Sequence, residues 1–334
     1  MTNTIKLTLN DIEHAASKLE GKIHTTPVLT CSSIDSMTDG KNLYFKCENL
    51  QKIGAFKIRG ATYAIGQLVE SVGIEEVRKK GIVAHSSGNH AQAVALASKS
   101  FGINSTIVLP NNCSKIKVKA VLGYGAKIVE SGPSAESRVE TAEKVVKETG
   151  GYLIPPFDHK DIVIGQGTAA LELLKQTKEM GVALDAVIAP VSGGGLLSGT
   201  LLAVKGFSSS IKGFAGEPKG ADDCYQSIKS GKYVPSVKPN TIADGLRSSM
   251  SDLTYGIIKE NLDDIFTVTE DEIIKAMRII WERMKLVVEP SGAVPLAAIL
   301  FNEEFKQKYA DVKNIGLIIS GGNIELDSFF DSLK

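Results

Sequence analysis

Cysteine is scarce: the 334 residues hold four, at Cys31, Cys47, Cys113 and Cys224. They form no Cys-x-x-Cys pair and have no histidine at zinc spacing, which argues for reduced thiols in a cytoplasmic protein rather than a disulfide framework or zinc site. Excess charge is lacking too. Lys plus Arg and Asp plus Glu both number 38, so nothing draws the chain to nucleic acid or a membrane surface, and a small-molecule substrate is expected. The uncharged run Ala186 to Val204 contains Pro190, Ser192, Gly193, Gly194, Gly195, Ser198 and Gly199, which disqualify it as a membrane span. Met1 to Lys6 lacks the apolar core of a signal peptide. Internal repeats, low-complexity linkers, a Gly-Lys-Ser/Thr nucleotide loop and a His-Glu-x-x-His site are all missing. What is present is an ordinary globular composition, 43% hydrophobic and 23% charged, and enough length for about two domains.

Apolar runs alternate with helix-like segments. Strands are expected at Asn42 to Cys47, Ile82 to Ser86, Ser105 to Leu109, Ala126 to Glu130, Tyr152 to Ile154, Ala186 to Val191, Ile211 to Ala215 and Asn314 to Ile319. Helices are expected at Leu9 to Leu19, Ala61 to Val69, Asn89 to Phe101, Ser114 to Leu122, Ala135 to Thr149, Ile162 to Lys178, Leu196 to Lys205, Thr269 to Met284 and Pro295 to Phe301. The alternation predicts an α/β protein of parallel βαβ units. Ser230 to Arg247, rich in Pro and Gly, reads as a loop or flap. No linker separates two lobes, so one lobe is expected to be inserted in the other.

Chemistry is concentrated around Gln51-Lys52-Ile53-Gly54-Ala55-Phe56-Lys57-Ile58-Arg59-Gly60-Ala61. A lysine amine becomes competent for Schiff-base chemistry when desolvation or a neighbouring cation lowers its pKa. Lys52 and Arg59 are the candidate cations for Lys57, and Phe56 a candidate apolar wall. Taken alone, the stretch is equally compatible with a solvated cationic loop.

Three small-residue loops follow strands. Ser86-Ser87-Gly88-Asn89-His90 offers helix-opening N–H groups for a carboxylate, with Asn89 as donor to a ring hydroxyl. Ser192-Gly193-Gly194-Gly195 lets the backbone approach a phosphate at a helix N-terminus. Ser320-Gly321-Gly322-Asn323 places a hydroxyl for a heterocyclic nitrogen. In a doubly wound sheet such loops converge on one crevice. Gly165-Gln166-Gly167-Thr168-Ala169-Ala170, with Asp185 further on, formally matches a nicotinamide-dinucleotide fingerprint but follows a poor strand. It supports an NAD-dependent oxidoreductase as the rival reading from another class. A non-catalytic sensor is a further rival.

Phosphate loop, activatable lysine and ring-nitrogen serine together suggest pyridoxal 5′-phosphate. Glu48, Gly54 and Ala55-Phe56-Lys57-Ile58-Arg59-Gly60-Ala61 resemble the attachment signature of the serine/threonine dehydratase family of fold type II pyridoxal enzymes. The Ser86, Ser192 and Ser320 loops, Thr241-Ile242-Ala243-Asp244-Gly245 and Glu289-Pro290-Ser291-Gly292 recur in the family's order over nearly the whole chain. Gly216-Glu217-Pro218 and Ala221-Asp222-Asp223-Cys224-Tyr225-Gln226-Ser227 resemble the eukaryotic serine racemases.

This resemblance implies a two-lobed fold like that of the tryptophan synthase β chain. The large, cofactor-binding domain would comprise residues 1–69 and 156–334, with an inserted small domain at 70–155. It implies Lys57 as the cofactor-bearing base and Ser87 as acid/base on the opposite face. Phe56, Asn89, Ser192, Gly193, Gly194, Gly195, Leu196, Glu289 and Ser320 would surround the cofactor. Ser86, Ser87, Asn89, His90, Arg138 and Asp244 would meet the substrate. Glu217, the carbonyl of Ala221 and Asp223 would hold magnesium, calcium or manganese, oxygen ligands suiting a hard cation. Ser32, Ser33, Ile34, Lys52, Gln92, Lys117 and Tyr124 match positions that bind ATP between subunits in some members. Ile53 stands where vertebrate members carry threonine, and Ser192 where the phosphate loop usually begins with glycine.

The expected activity is racemisation of L-serine with β-elimination to pyruvate and ammonia, in a cytoplasmic homodimer. The alternatives within the scaffold are a catabolic L-threonine dehydratase and a threo-3-hydroxyaspartate ammonia-lyase. The short stretch after Asn323 leaves no room for the regulatory domain of biosynthetic threonine deaminases.

Overall fold

The structure, a computed structural model, describes residues 6–113, 115–235, 238–326 and 330. In chain order its elements are α1 (Leu9–Leu19), β1 (Val28–Leu29), α2 (Ser32–Asp35), β2 (Asn42–Cys47), α3 (Lys57–Val72), α4 (Ile74–Lys80), β3 (Ile82–His85), α5 (Asn89–Ser100), β4 (Ser105–Pro110) and α6 (Lys115–Gly123). There follow β5 (Lys127–Ser131), α7 (Ala135–Thr149), β6 (Tyr152–Leu153), α8 (Lys160–Glu179), β7 (Ala186–Pro190), α9 (Gly195–Phe207), β8 (Lys212–Pro218) and α10 (Asp223–Ser230). Last come α11 (Asp252–Asn261), β9 (Asp264–Val268), α12 (Glu270–Ile279), α13 (Pro290–Phe301), α14 (Glu303–Lys308) and β10 (Asn314–Ile319). Ser114, the expected start of one helix, lies outside the described residues.

Two sheets result, as the α/β reading expects. The larger has six strands in the order β1-β2-β10-β7-β8-β9, the smaller four in the order β5-β4-β3-β6. Every pairing is parallel except β1 with β2. Parallel strands covered on both faces need continuous apolar sequence, and β7 and β10 have it: Ala186 to Pro190 and Ile315 to Ile319 are buried throughout. The smaller sheet comes from one contiguous stretch, with strands of the larger sheet before and after it.

Helix α3 serves both halves. Ile58, Ala61, Ala64 and Ile65 join the core around the smaller sheet. Its Gly60 lies against Gly165 of α8, where a Cβ on Gly165 would come within 2.7 Å of the Gly60 Cα. That contact overturns the dinucleotide reading. Gly165 to Ala170 lie inside one continuous helix, where Gly167 makes room for the Gly199 carbonyl of α9. Asp185 accepts from the backbone N–H groups of Lys313 and Asn314, at 2.9 and 2.8 Å, leading into β10. The glycines serve helix packing, and the acid anchors the entry to a strand.

Some elements depart from the expected pattern. β9, α10 and α11 escaped it, and α3 begins at Lys57 rather than Ala61. Helix α13 begins at Pro290, which suits a first-turn position with no N–H to satisfy, and it runs through Pro295.

Candidate active site

Strands β2, β10 and β7 are parallel neighbours, so the segments that follow them leave the same sheet edge side by side. With the loop after β3 they enclose a cavity of about 900 Å³. Its wall includes Phe56, Lys57, Ser86, Ser87, Asn89, His90, Arg138, Ser192, Gly193, Gly194, Gly195, Leu196, Asp244, Glu289 and Ser320. The sequence-predicted cofactor and substrate residues are thus brought to one place.

Lys57 opens α3 because the preceding loop is stitched to the loop after β10. Phe56 N–H donates to the Ser320 carbonyl at 3.0 Å, Gly322 N–H donates to the Gly54 carbonyl at 2.9 Å, and Ala55 bridges Gly321. The turn needs left-handed backbone at Ile53 (φ 65°) and Gly54 (φ 72°). The Lys57 amine donates to the Pro156 carbonyl at 2.8 Å and lies 5.1 Å from the Phe56 ring centre. Burial lowers its pKa to about 8, opposed by the negative charge of Glu289.

The two cations expected to do this are not responsible. Lys52 donates to the Lys22 carbonyl at 2.6 Å. Arg59 is wholly buried between Glu48 (2.7 and 2.8 Å) and Glu172 (2.7 and 2.8 Å), and also donates to Thr168 at 3.2 Å. Burial alone would lower the guanidinium's pKa, but the two carboxylates outweigh it and hold the charge. Arg59 therefore braces α3 against β2 and α8; removing one partner of such a buried pair costs about 3–5 kcal/mol.

At the glycine loop, Gly194 has φ 87° and Thr254 donates to the Gly193 carbonyl at 2.9 Å. A Cβ on Gly193 would stand 2.3 Å from the Phe157 ring, and one on Gly194 2.7 Å from Thr254. The loop feeds the N-terminus of α9, whose free N–H groups and dipole favour an anion. The Ser192 hydroxyl donates to the Ser248 carbonyl at 3.1 Å and accepts from its N–H at 3.0 Å, tying the loop to the segment that carries Asp244.

Glu289 caps α13 and is buried; burial, with Asp244 adding to it, raises its carboxyl to about 7 against the donating Asn89. Asn89 Nδ2 lies 3.0 and 3.2 Å from the two Glu289 oxygens. His90 is held at 2.9 Å from the Ile154 carbonyl, so that ring nitrogen carries its proton; burial, and then Lys57, lower the ring's pKa to about 3. Ser87 is solvent-exposed on the cavity wall, with the Cys113 thiol 3.7 Å from its carbonyl. Arg138 lines the wall from the first turn of α7, and burial lowers its pKa.

Glu217, Ala221 and Asp223 lie together outside this cavity, at the end of β8 and the start of α10. Glu217 accepts from the N–H groups of Cys224 (3.1 Å) and Tyr225 (2.7 Å). Burial raises its pKa well above the usual range, and Asp223 adds to the rise. Two buried carboxylates in one turn fit a hard cation, which would relieve that cost.

Among the described residues of the nucleotide set only Lys117 lines the cavity, where it pairs with Asp244. Ile34 belongs to the core of the larger sheet, and Tyr124 packs against that of the smaller. Sequence reasoning missed Pro156, Phe157 and Thr254, which hold the lysine and wrap the glycine loop from distant parts of the chain. No local sequence signal marks them. Asn323 was visible in its loop motif but received no role.

The buried lysine, glycine cradle and ring-facing serine fit a pyridoxal-type cofactor. A family model described as pyridoxal-phosphate dependent enzyme matches residues 19–321. The chain belongs to the pyridoxal-phosphate dependent enzymes, of fold type II. A serine racemase from Dictyostelium discoideum is 50% identical over 325 residues, covering 96% of each chain. The structure of maize serine racemase superposes with a TM-score of 0.91 at 46% identity, covering 98% of this chain and 96% of that one. The crystal structure of a bacterial-type threonine deaminase, from the organism abbreviated T.th., superposes with a TM-score of 0.87 at 39% identity, covering 96% of this chain and 99% of that one.

Proposed function

We propose that this chain interconverts L- and D-serine and eliminates water from serine to give pyruvate and ammonia. The observation that carries the reading is the buried Lys57 amine, with its pKa lowered to about 8, sharing a cavity with the exposed hydroxyl of Ser87. When bound, pyridoxal 5′-phosphate supplies an electron-withdrawing imine that acidifies the α-proton of the amino acid. Lys57 takes that proton on one face, and Ser87 returns a proton on the other, which inverts the centre. Departure of the β-hydroxyl after the same proton removal gives the elimination product.

Gly193 to Gly195 and the α9 N-terminus would hold the phosphate, Ser320 the ring nitrogen, Asn89 the ring hydroxyl, and Phe56 one ring face. Ser320 is a neutral hydroxyl, which would not keep that nitrogen protonated, so the chemistry leans on the imine and the surrounding dipoles. Ser86, Ser87, Asn89 and His90 would bind the substrate carboxylate at the start of α5, with Arg138 and Asp244 across from them.

Glu217, the Ala221 carbonyl and Asp223 would hold a magnesium, calcium or manganese ion; the raised pKa of buried Glu217 supports this. ATP would act as an effector at a homodimer interface through Ser32, Ser33, Ile34, Lys52, Gln92, Lys117 and Tyr124. Sheet membership supports residues 70–155 as a small domain inserted between 1–69 and 156–334, with α3 running across the first boundary. A cytoplasmic location agrees with the four free thiols.

The likeness to a threonine deaminase makes L-threonine dehydration the second reading. Chiral product analysis beside pyruvate measurement, with L-serine, L-threonine and 3-hydroxyaspartate, with and without magnesium, separates the two. D-serine from L-serine is the expected result. Ketoacid from threonine with no D-serine would reject the first reading.

A further inference from the structure

Asn323 lies in the loop after β10. Its Nδ2 donates to the main-chain carbonyl of Ile53 at 2.6 Å and to Asn89 Oδ1 at 2.8 Å. A main-chain carbonyl can only accept, so the Asn323 atom facing it is the amide nitrogen. Its two protons are then both used. The Asn89 atom that receives the second must be the oxygen, which turns the Asn89 NH2 towards Glu289 and the cavity. One fixed carbonyl thus sets the direction of two successive amides.

The surroundings are shaped for this arrangement. A Cβ on Gly54 would stand 2.6 Å from Asn323 Oδ1, and one on Gly321 2.7 Å from Glu289 Oε1. The Asn323 backbone N–H also donates to the Glu289 carboxylate. Glu289 by itself cannot fix the Asn89 amide. With its carboxyl raised to about 7, its protonated form would accept the amide in the reversed orientation.

We propose that Asn323 is a positioning residue that locks the Asn89 amide with its NH2 towards the cavity, so that Asn89 offers a donor to an anionic ring oxygen of the cofactor. The role rests on Asn89 being the cofactor contact described above. An amide free to turn would present its oxygen to that anion for part of the time, weakening binding and changing the electronic environment of the ring.

The test uses the full-length chain and pyridoxal 5′-phosphate, comparing wild type, Asn323→Ala, Asn89→Ala and the double variant. Affinity is read by titration, the position of the visible band by absorbance, and folding by thermal melting of the cofactor-free chain. Asn323→Ala is expected to weaken cofactor binding about tenfold and move the band. In the Asn89→Ala background it should add nothing to either readout, the signature of a residue that acts through its neighbour. Asn323→Ser, which keeps one donor but cannot serve both partners, covers a failure of the alanine variant to fold. Unchanged affinity and band, or effects that add to those of Asn89→Ala, would overturn the role. A wild-type chain that forms no band would overturn the underlying reading, and the role with it.

Discussion

The ammonium of Lys117 and the carboxylate of Asp244 meet at 2.6 Å on the wall of the cavity, joining its two sides. Lys117 sits on α6, which packs with α5 and β5 of the smaller sheet, whereas Asp244 is flanked by Ala243 and Leu246 in the core of the larger. The pair is partly exposed, and such pairs are worth about 0.2–1 kcal/mol. Lys117→Met should therefore raise KM for serine by no more than about fivefold, and high salt should move wild type towards the variant. Steady-state kinetics across a salt series measure this; a salt response unchanged in the variant would count against the contact.

Lys57 makes capture of the cofactor pH-dependent. Imine formation needs the neutral amine, and burial lowers the pKa from 10.5 to about 8. The rate at which the cofactor-free chain forms its visible band should rise about tenfold per pH unit below pH 8 and level off above it. An ordinary lysine would keep the rate climbing to about pH 10.4. By linkage, an amine whose folded pKa is lowered leaves the unfolded chain with more protons between those values. The cofactor-free fold should therefore gain stability as pH rises from about 8 towards 10.5. Stopped-flow absorbance and urea titrations at several pH values test the two statements.

Gly193 is where a methyl group does most harm to the phosphate cradle. The added Cβ would stand 2.3 Å from the Phe157 ring, so either the ring or the loop must move. Gly193→Ala should weaken cofactor binding about tenfold or more, the usual cost of overpacking. Phe157→Leu in the same chain should restore part of it. Cofactor titration of the three variants is the measurement.

Much of this site was legible because its parts are short loops on parallel strands, and glycine after an apolar run states both position and use. The loops at Ser86, Ser192 and Ser320 therefore appeared in the sequence as the structure has them. The cause of the Lys57 shift did not. Arg59 is two residues away in sequence, but two residues turn a helix by about 200°, and its side chain goes to Glu48 and Glu172 instead. Gly165 and Gly167 matched a nucleotide fingerprint because close helix packing and close phosphate approach both demand a missing Cβ. Asn323 takes its meaning from Asn89 and Ile53, which lie far away along the chain and close only after folding.

Racemisation here depends on a two-sided proton transfer between Lys57 and Ser87, and the Ser87→Ala variant tests that directly. With L-serine as substrate, chiral chromatography should show D-serine formation reduced at least about a hundredfold, while the visible cofactor band and pyruvate production persist. D-serine formed at the wild-type rate by that variant would contradict the two-sided transfer.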